Sequence, residues 1–163
     1  LVVSSSILET RLVAWPDEAA CAATAARLAS HPALADAFCE LHGPLGAGKT
    51  TFARHLLHAL GVTGAIKSPT YALVEQYLAG AAAGGFAIAH FDFYRFDDPN
   101  EWEDAGFRDV FAEPGLKLVE WPEKAAGLLP PCDLRVWIAP HEGSDVREAR
   151  FEAMSTSGLE LLR

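Results

Sequence analysis

Residues Gly43-Pro44-Leu45-Gly46-Ala47-Gly48-Lys49-Thr50 read G-x-x-x-x-G-K-T. Each fixed position of that pattern has a task on a chain of phosphates. The glycines accept backbone angles that other residues resist. They let successive N–H groups turn inward as an anion nest. Lys49 adds a point charge suited to β- and γ-phosphates, and the Thr50 hydroxyl is the usual oxygen ligand for Mg²⁺ in such loops. Leu45, Gly46, Ala47, Gly48, Lys49, Thr50 and Thr51 are therefore the expected nucleotide-contacting residues.

Phosphoryl chemistry also needs carboxylates beside the phosphates. Two stand at or near the ends of predicted strands: Asp92, in His90-Phe91-Asp92-Phe93-Tyr94-Arg95, and Glu120, in Val119-Glu120-Trp121-Pro122-Glu123. Either can hold Mg²⁺ or orient an attacking water. Glu120 follows an apolar run, at the strand end where ligands bind in open α/β sheets. Ser68-Pro69-Thr70-Tyr71 begins 17 residues after Thr51, a spacing that suits a switch in which Ser68 and Thr70 reach the metal or the γ-phosphate. Trp121 is a candidate to stack near the nucleotide. His90 reads as a structural histidine able to pair with a carboxylate. Arg95 reads as a phosphate contact or as a partner of Asp97 or Asp98.

The elements that must position these groups follow from local signals. Residues 37–42 form a strand into the loop, and residues 51–60 a helix out of it, with Gly61 as C-cap. The dipole of that helix favours phosphates at its start. Upstream, Asp17 caps an alanine-rich helix running to about Ser30. Residues 72–77 and 86–93 read as two strands of a hairpin across a small-residue turn. Asp98-Pro99-Asn100-Glu101 is a helix start. Strands are expected at 116–121, stopped by Pro122, at 134–138 and at 149–154. The segment 158–163 is too short to assign.

Composition narrows the class. The 163 residues are enough for one domain, expected here over residues 1–163, with a core of its own. There are 13 basic and 22 acidic residues and a net charge of -9, with no basic stripe. That argues against a direct grip on nucleic acid. If the chain serves an RNA pathway, another subunit is expected to hold the RNA. Cys21, Cys39 and Cys132 make neither a disulfide framework nor a zinc pattern. Leu1–Ser6 lacks a basic region and a long apolar stretch, and no apolar run is long enough to span a membrane. The expected setting is cytoplasmic. No Asn-Lys-x-Asp segment of guanine-reading GTPases is present, nor an arginine-dense lid of the nucleotide-kinase kind.

Taken in order, Leu45–Phe52, Ser68–Tyr71, His90–Arg95 and Val119–Glu123 resemble the TsaE (formerly YjeE) family. The resemblance covers roughly Asp17 to Arg150. It implies a P-loop NTPase-like, three-layer α/β fold with a mixed central sheet. It implies ATP as substrate, with Mg²⁺, and slow hydrolysis by the chain alone. It also implies partnership with the TsaB–TsaD pair, which transfers a threonylcarbamoyl group to adenosine 37 of tRNA from a donor made by TsaC. ATP turnover would support repeated cycles of that pair, and tRNA would be met only through the complex. By similarity Lys49, Asp92 and Glu120 are the catalytic group, Thr50 and Glu120 hold Mg²⁺, Asp92 is a catalytic or metal-network acid, Ser68 to Thr70 form the switch, and Trp121 sits beside the site. The family often carries a threonine near the adenine in its N-terminal helix. Here Ala19, Ala20 and Cys21 occupy those positions, leaving Asp17 and Glu18 as candidates. Arg147 and Arg150 resemble the family's C-terminal part.

Overall fold

A computed structural model describes residues 6–67, Pro69 and residues 72–163. In chain order its elements are β1 (Glu9–Trp15), α1 (Glu18–Ala29), β2 (Phe38–His42), α2 (Lys49–Ala59), β3 (Val74–Leu78), β4 (Ala87–Asp92), α3 (Pro99–Asp104), α4 (Phe107–Ala112), β5 (Leu116–Glu120), β6 (Leu134–Pro140), β7 (Arg147–Ala153) and α5 (Thr156–Leu161). The strands form one sheet in the order β1-β7-β6-β2-β5-β4-β3. Strands β2, β5, β4 and β6 run parallel to their neighbours in the middle. The pairs β1–β7, β6–β7 and β3–β4 are antiparallel, so the sheet is mixed.

Period-two alternation divides the side chains between two faces. One face carries Cys39 and Leu41 of β2, Ile88 of β4, Leu116 and Leu118 of β5, Leu134 and Val136 of β6, and Phe151 of β7. These pack beneath α1 and α2 with Phe52, Leu56 and Leu57. The other face carries Phe38, Phe91 and Val119, which pack with Trp102 and Phe107 of α3 and α4. The result is a helix–sheet–helix sandwich, three layers as the resemblance implied. Beyond Phe38 the second face is polar. Glu40, Arg135, Trp137, Arg150 and Glu152 form a ladder of contacts there: Arg135 Nε donates to Glu40 at 3.3 Å, Trp137 Nε1 donates to Glu152 at 2.7 Å, and Arg150 pairs with Glu152 at 3.3 Å.

The local signals account for most boundaries. Asp17 caps α1 by accepting from Ala20 N at 2.9 Å. Asp98 caps α3 by accepting from Asn100 N at 2.9 Å. The 72–77 and 86–93 runs pair as the expected hairpin, with Val74 opposite Phe91 and Leu78 opposite Ala87. The helix opened by Asp98 ends at Asp104. Gly106, at φ 70°, breaks it and starts α4. Two elements lie outside the sequence expectations: the edge strand β1, most of whose residues are exposed, and α5, capped by Ser155. All three cysteines are free and buried. Burial pushes the Cys21 thiol up to about 11 and that of Cys132 up to about 12.

Candidate functional site

The β2–α2 connection is the phosphate-binding pattern itself. α2 begins at Lys49, two residues earlier than the sequence suggested, with Gly48 as its N-cap at φ 113°. Gly43 is at φ 146°, where an added Cβ would stand 2.3 Å from the backbone oxygen of Ile138 and 3.3 Å from Ala47 Cβ. Only a residue without a Cβ lets the loop leave β2 this close to β6. Gly43→Ala is expected to combine backbone strain with overlap against a strand that cannot move, costing about 3 kcal/mol, or roughly 6–12 °C in Tm. A thermal melt within about 2 °C of the parent would contradict this packing. Ala47 is buried and its carbonyl accepts from Arg147 Nε at 3.1 Å, so the end of β7 braces the loop. Leu45, 72 % exposed, stands outward at its tip.

Lys49 bends back over its own loop. Its ammonium donates to Gly43 O and, at 3.0 Å, to Pro44 O. It also lies 4.1 Å from the centroid of the Trp121 ring. Burial lowers its pKa, against the raising influence of Glu120, Glu123 and Asp92. A cation held by two carbonyl dipoles and a ring face is poised above the nest.

The acids are brought in by the sheet. β4 and β5 are parallel neighbours, and their register sets Asp92 opposite Glu120. Both are almost fully buried, on the face that α2 covers. Thr50 Oγ1 donates to Glu120 Oε1 at 2.7 Å. Glu120 Oε2 accepts from His90 Nε2 at 2.6 Å. Asp92 Oδ1 accepts from Tyr94 N at 2.9 Å. β5 ends at Glu120, and Trp121 turns into the left-handed region at φ 56°. That turn lays its ring beside Tyr94, 4.9 Å between centroids, and over Lys49. Lys49, Thr50, Asp92, Glu120 and Trp121, far apart in sequence, line one cleft of about 330 Å³ together with Arg95. Ser68 and Thr70 lie outside the described residues.

A second cleft of about 220 Å³ opens on the other side of the loop. Gly46, Ala47, Gly48 and Thr51 line both. Its remaining walls come from Trp15, Asp17, Glu18 and Cys21 at the start of the chain and from Asp145 and Arg147. Asp17 and Glu18, the candidates left for the adenine, line this cleft. Trp15 and Asp145 were not singled out in the sequence. Arg150 is on the polar face with Glu152, away from this cleft. The signal that separates the two arginines is their spacing of three along β7, which sends them to opposite faces.

The donor set around Thr50 is a hydroxyl and carboxylates, hard oxygens of the kind Mg²⁺ takes. Among the described residues no three His, Cys, Asp or Glu side chains converge on a metal position. Thr50 and Glu120 are the residues that could hold such a cation, with phosphate and water to complete its shell.

Comparisons with known proteins bear on the family and the fold. The family model described as "TsaE: Threonylcarbamoyl adenosine biosynthesis protein TsaE" matches residues 15–149. The tRNA threonylcarbamoyladenosine biosynthesis protein TsaE of Haemophilus influenzae is 43% identical over 122 residues, 75% of this chain and 73% of that protein. The protein of the same name from Bacillus subtilis is 37% identical over 114 residues, 70% of this chain and 68% of that one. The crystal structure of Bacillus subtilis YdiB superposes with a TM-score of 0.73 at 27% identity, covering 97% of this chain and 95% of that chain. Family model, relatives and fold converge: the chain belongs to the TsaE family.

Proposed function

We propose that the chain is an ATP-binding, slowly ATP-hydrolysing subunit of the machinery that makes threonylcarbamoyladenosine in tRNA, acting in the cytoplasm with a TsaB–TsaD pair. The observation that carries the reading is the meeting of a complete G-x-x-x-x-G-K-T loop with the buried carboxylate of Glu120, 2.7 Å from the Thr50 hydroxyl. The family name and the names of the relatives supply the pathway.

In this reading the triphosphate lies along the loop, with the base toward the Trp15–Cys21 side and the γ-phosphate toward Asp92 and Glu120. The inward N–H groups and the start of α2 hold the phosphate oxygens. Lys49 exchanges its two loop carbonyls for β- and γ-oxygens, so its charge is already desolvated and near its target. Thr50 and Glu120 would hold Mg²⁺, which when bound neutralises charge building on the β- and γ-oxygens. Asp92, at the same sheet level as Glu120, orients water toward the γ-phosphorus. Trp121 and Tyr94 shield Lys49 from solvent. The contribution of the protein is position and charge, which is what this reaction chiefly requires.

The test is ATP hydrolysis by the purified chain, alone and with TsaB–TsaD. The expected result is slow release of free phosphate that rises when the pair is added. Unchanged turnover, with no association with the pair, would leave a nucleotide site without this role.

A further inference from the structure

His90 is buried in mid-strand, 1 % exposed, and makes one polar contact of unusual quality. Its Nε2 is 2.6 Å from Oε2 of Glu120, a residue equally buried. Its other ring nitrogen, Nδ1, is buried and has no hydrogen-bond partner among the described residues. A position chosen only to fill space would hold an aliphatic residue, such as Ile88 and Leu118 on the same face, because an unpartnered buried ring nitrogen is costly. The imidazole is kept for what Nε2 does. Thr50 takes one oxygen of Glu120 and His90 takes the other, so the carboxylate is fixed in plane as well as in place. With either bond alone it would rotate about its last torsion.

We propose that His90 is a positioning residue for Glu120. Its Nε2–H donates to Oε2 and holds Oε1 toward Thr50 and the cation position. The proposal rests on the reading of Glu120 as an acid of the metal site. Groups that orient a ligating carboxylate in this way typically change metal affinity 10–100-fold when removed.

The two amide side chains separate this role from simple polarity. Gln places its nitrogen where His Nε2 stands. Asn places its nitrogen where Nδ1 stands and stops short of Glu120. The measurement is Mn²⁺ affinity by electron paramagnetic resonance, on the full chain loaded with a non-hydrolysable ATP analogue. Analogue affinity in EDTA is measured alongside it. His90→Asn is expected to weaken Mn²⁺ about tenfold and to leave metal-free analogue affinity unchanged. His90→Gln is expected to restore Mn²⁺ binding to near the parent value. Equal Mn²⁺ affinity in the parent and the Asn variant would overturn the proposal, as would equal weakening in both variants. Glu120→Gln is the control. If it too binds Mn²⁺ like the parent, the metal-site reading of Glu120 has failed and the positioning role goes with it. If only the His90 variants are indifferent, the positioning role alone has failed.

Discussion

Lys49→Ala is expected to remove tight nucleotide binding while leaving the fold in place. The ammonium is buried against two carbonyls of its own loop and the Trp121 ring, so it links that loop to the turn after β5. Its loss is expected to cost the fold less than it costs ligand binding, since the side chain lines an open cleft. For a triphosphate the same change is large. Truncating one partner of a buried, hydrogen-bonded charge pair costs about 2–5 kcal/mol, or roughly 30- to several-thousandfold in affinity. Isothermal titration with ATP and Mg²⁺ reads this directly, with a thermal melt as control for folding. An unchanged affinity would overturn the assignment of the loop.

Glu120→Ala is expected to act on turnover more than on binding. In the proposed function the phosphates are held chiefly by the nest and Lys49, and Glu120 acts on the metal. What the substitution removes is the carboxylate that faces Thr50 and, across the strand register, Asp92. Loss of one preorganised group of this kind lowers kcat about 10²–10³-fold. Stability falls as well, because His90 Nε2–H and its neighbours lose a buried acceptor, at a cost of about 1–3 kcal/mol. Glu120→Gln keeps the shape and removes the charge, which separates the two effects. The assay is phosphate release at saturating ATP over a range of Mg²⁺ concentrations, well below the melting temperature. Normal turnover at limiting Mg²⁺ would take Glu120 out of the site.

What was legible in the sequence is what local chemistry determines. The loop, the helix after it, the caps at Asp17 and Asp98 and the hairpin into Asp92 each need only a few neighbouring residues, and each is found in place. What was not legible depends on strands that meet from far along the chain. β1 pairs with β7, Glu9 opposite Ala153, and its exposed pattern gives no sign of that partner. Trp15 and Asp145 reach the loop's second cleft only through that pairing. The partner of His90 was hidden for the same reason. A histidine two residues before Asp92 shares its face of the strand, but the group it faces is known only once β5 is placed beside β4. At Gly106 the effect is local again: one glycine in the left-handed region separates α3 from α4.

Among the described residues, Lys49 and Thr50 open the helix that follows β2, and Asp92 and Glu120 end β4 and β5, so these four stand on interior strands of the sheet or directly after one. Edge strands fray, whereas interior ones open only when most of the molecule does. Amide protons of Leu118 and Leu41 should therefore exchange with solvent on the timescale of global unfolding, and those of β1 and β3 well before it. A ligand seated on such strands stabilises the whole molecule by mass action, so occupancy of this site reaches the remotest helix as a slower rate of unfolding.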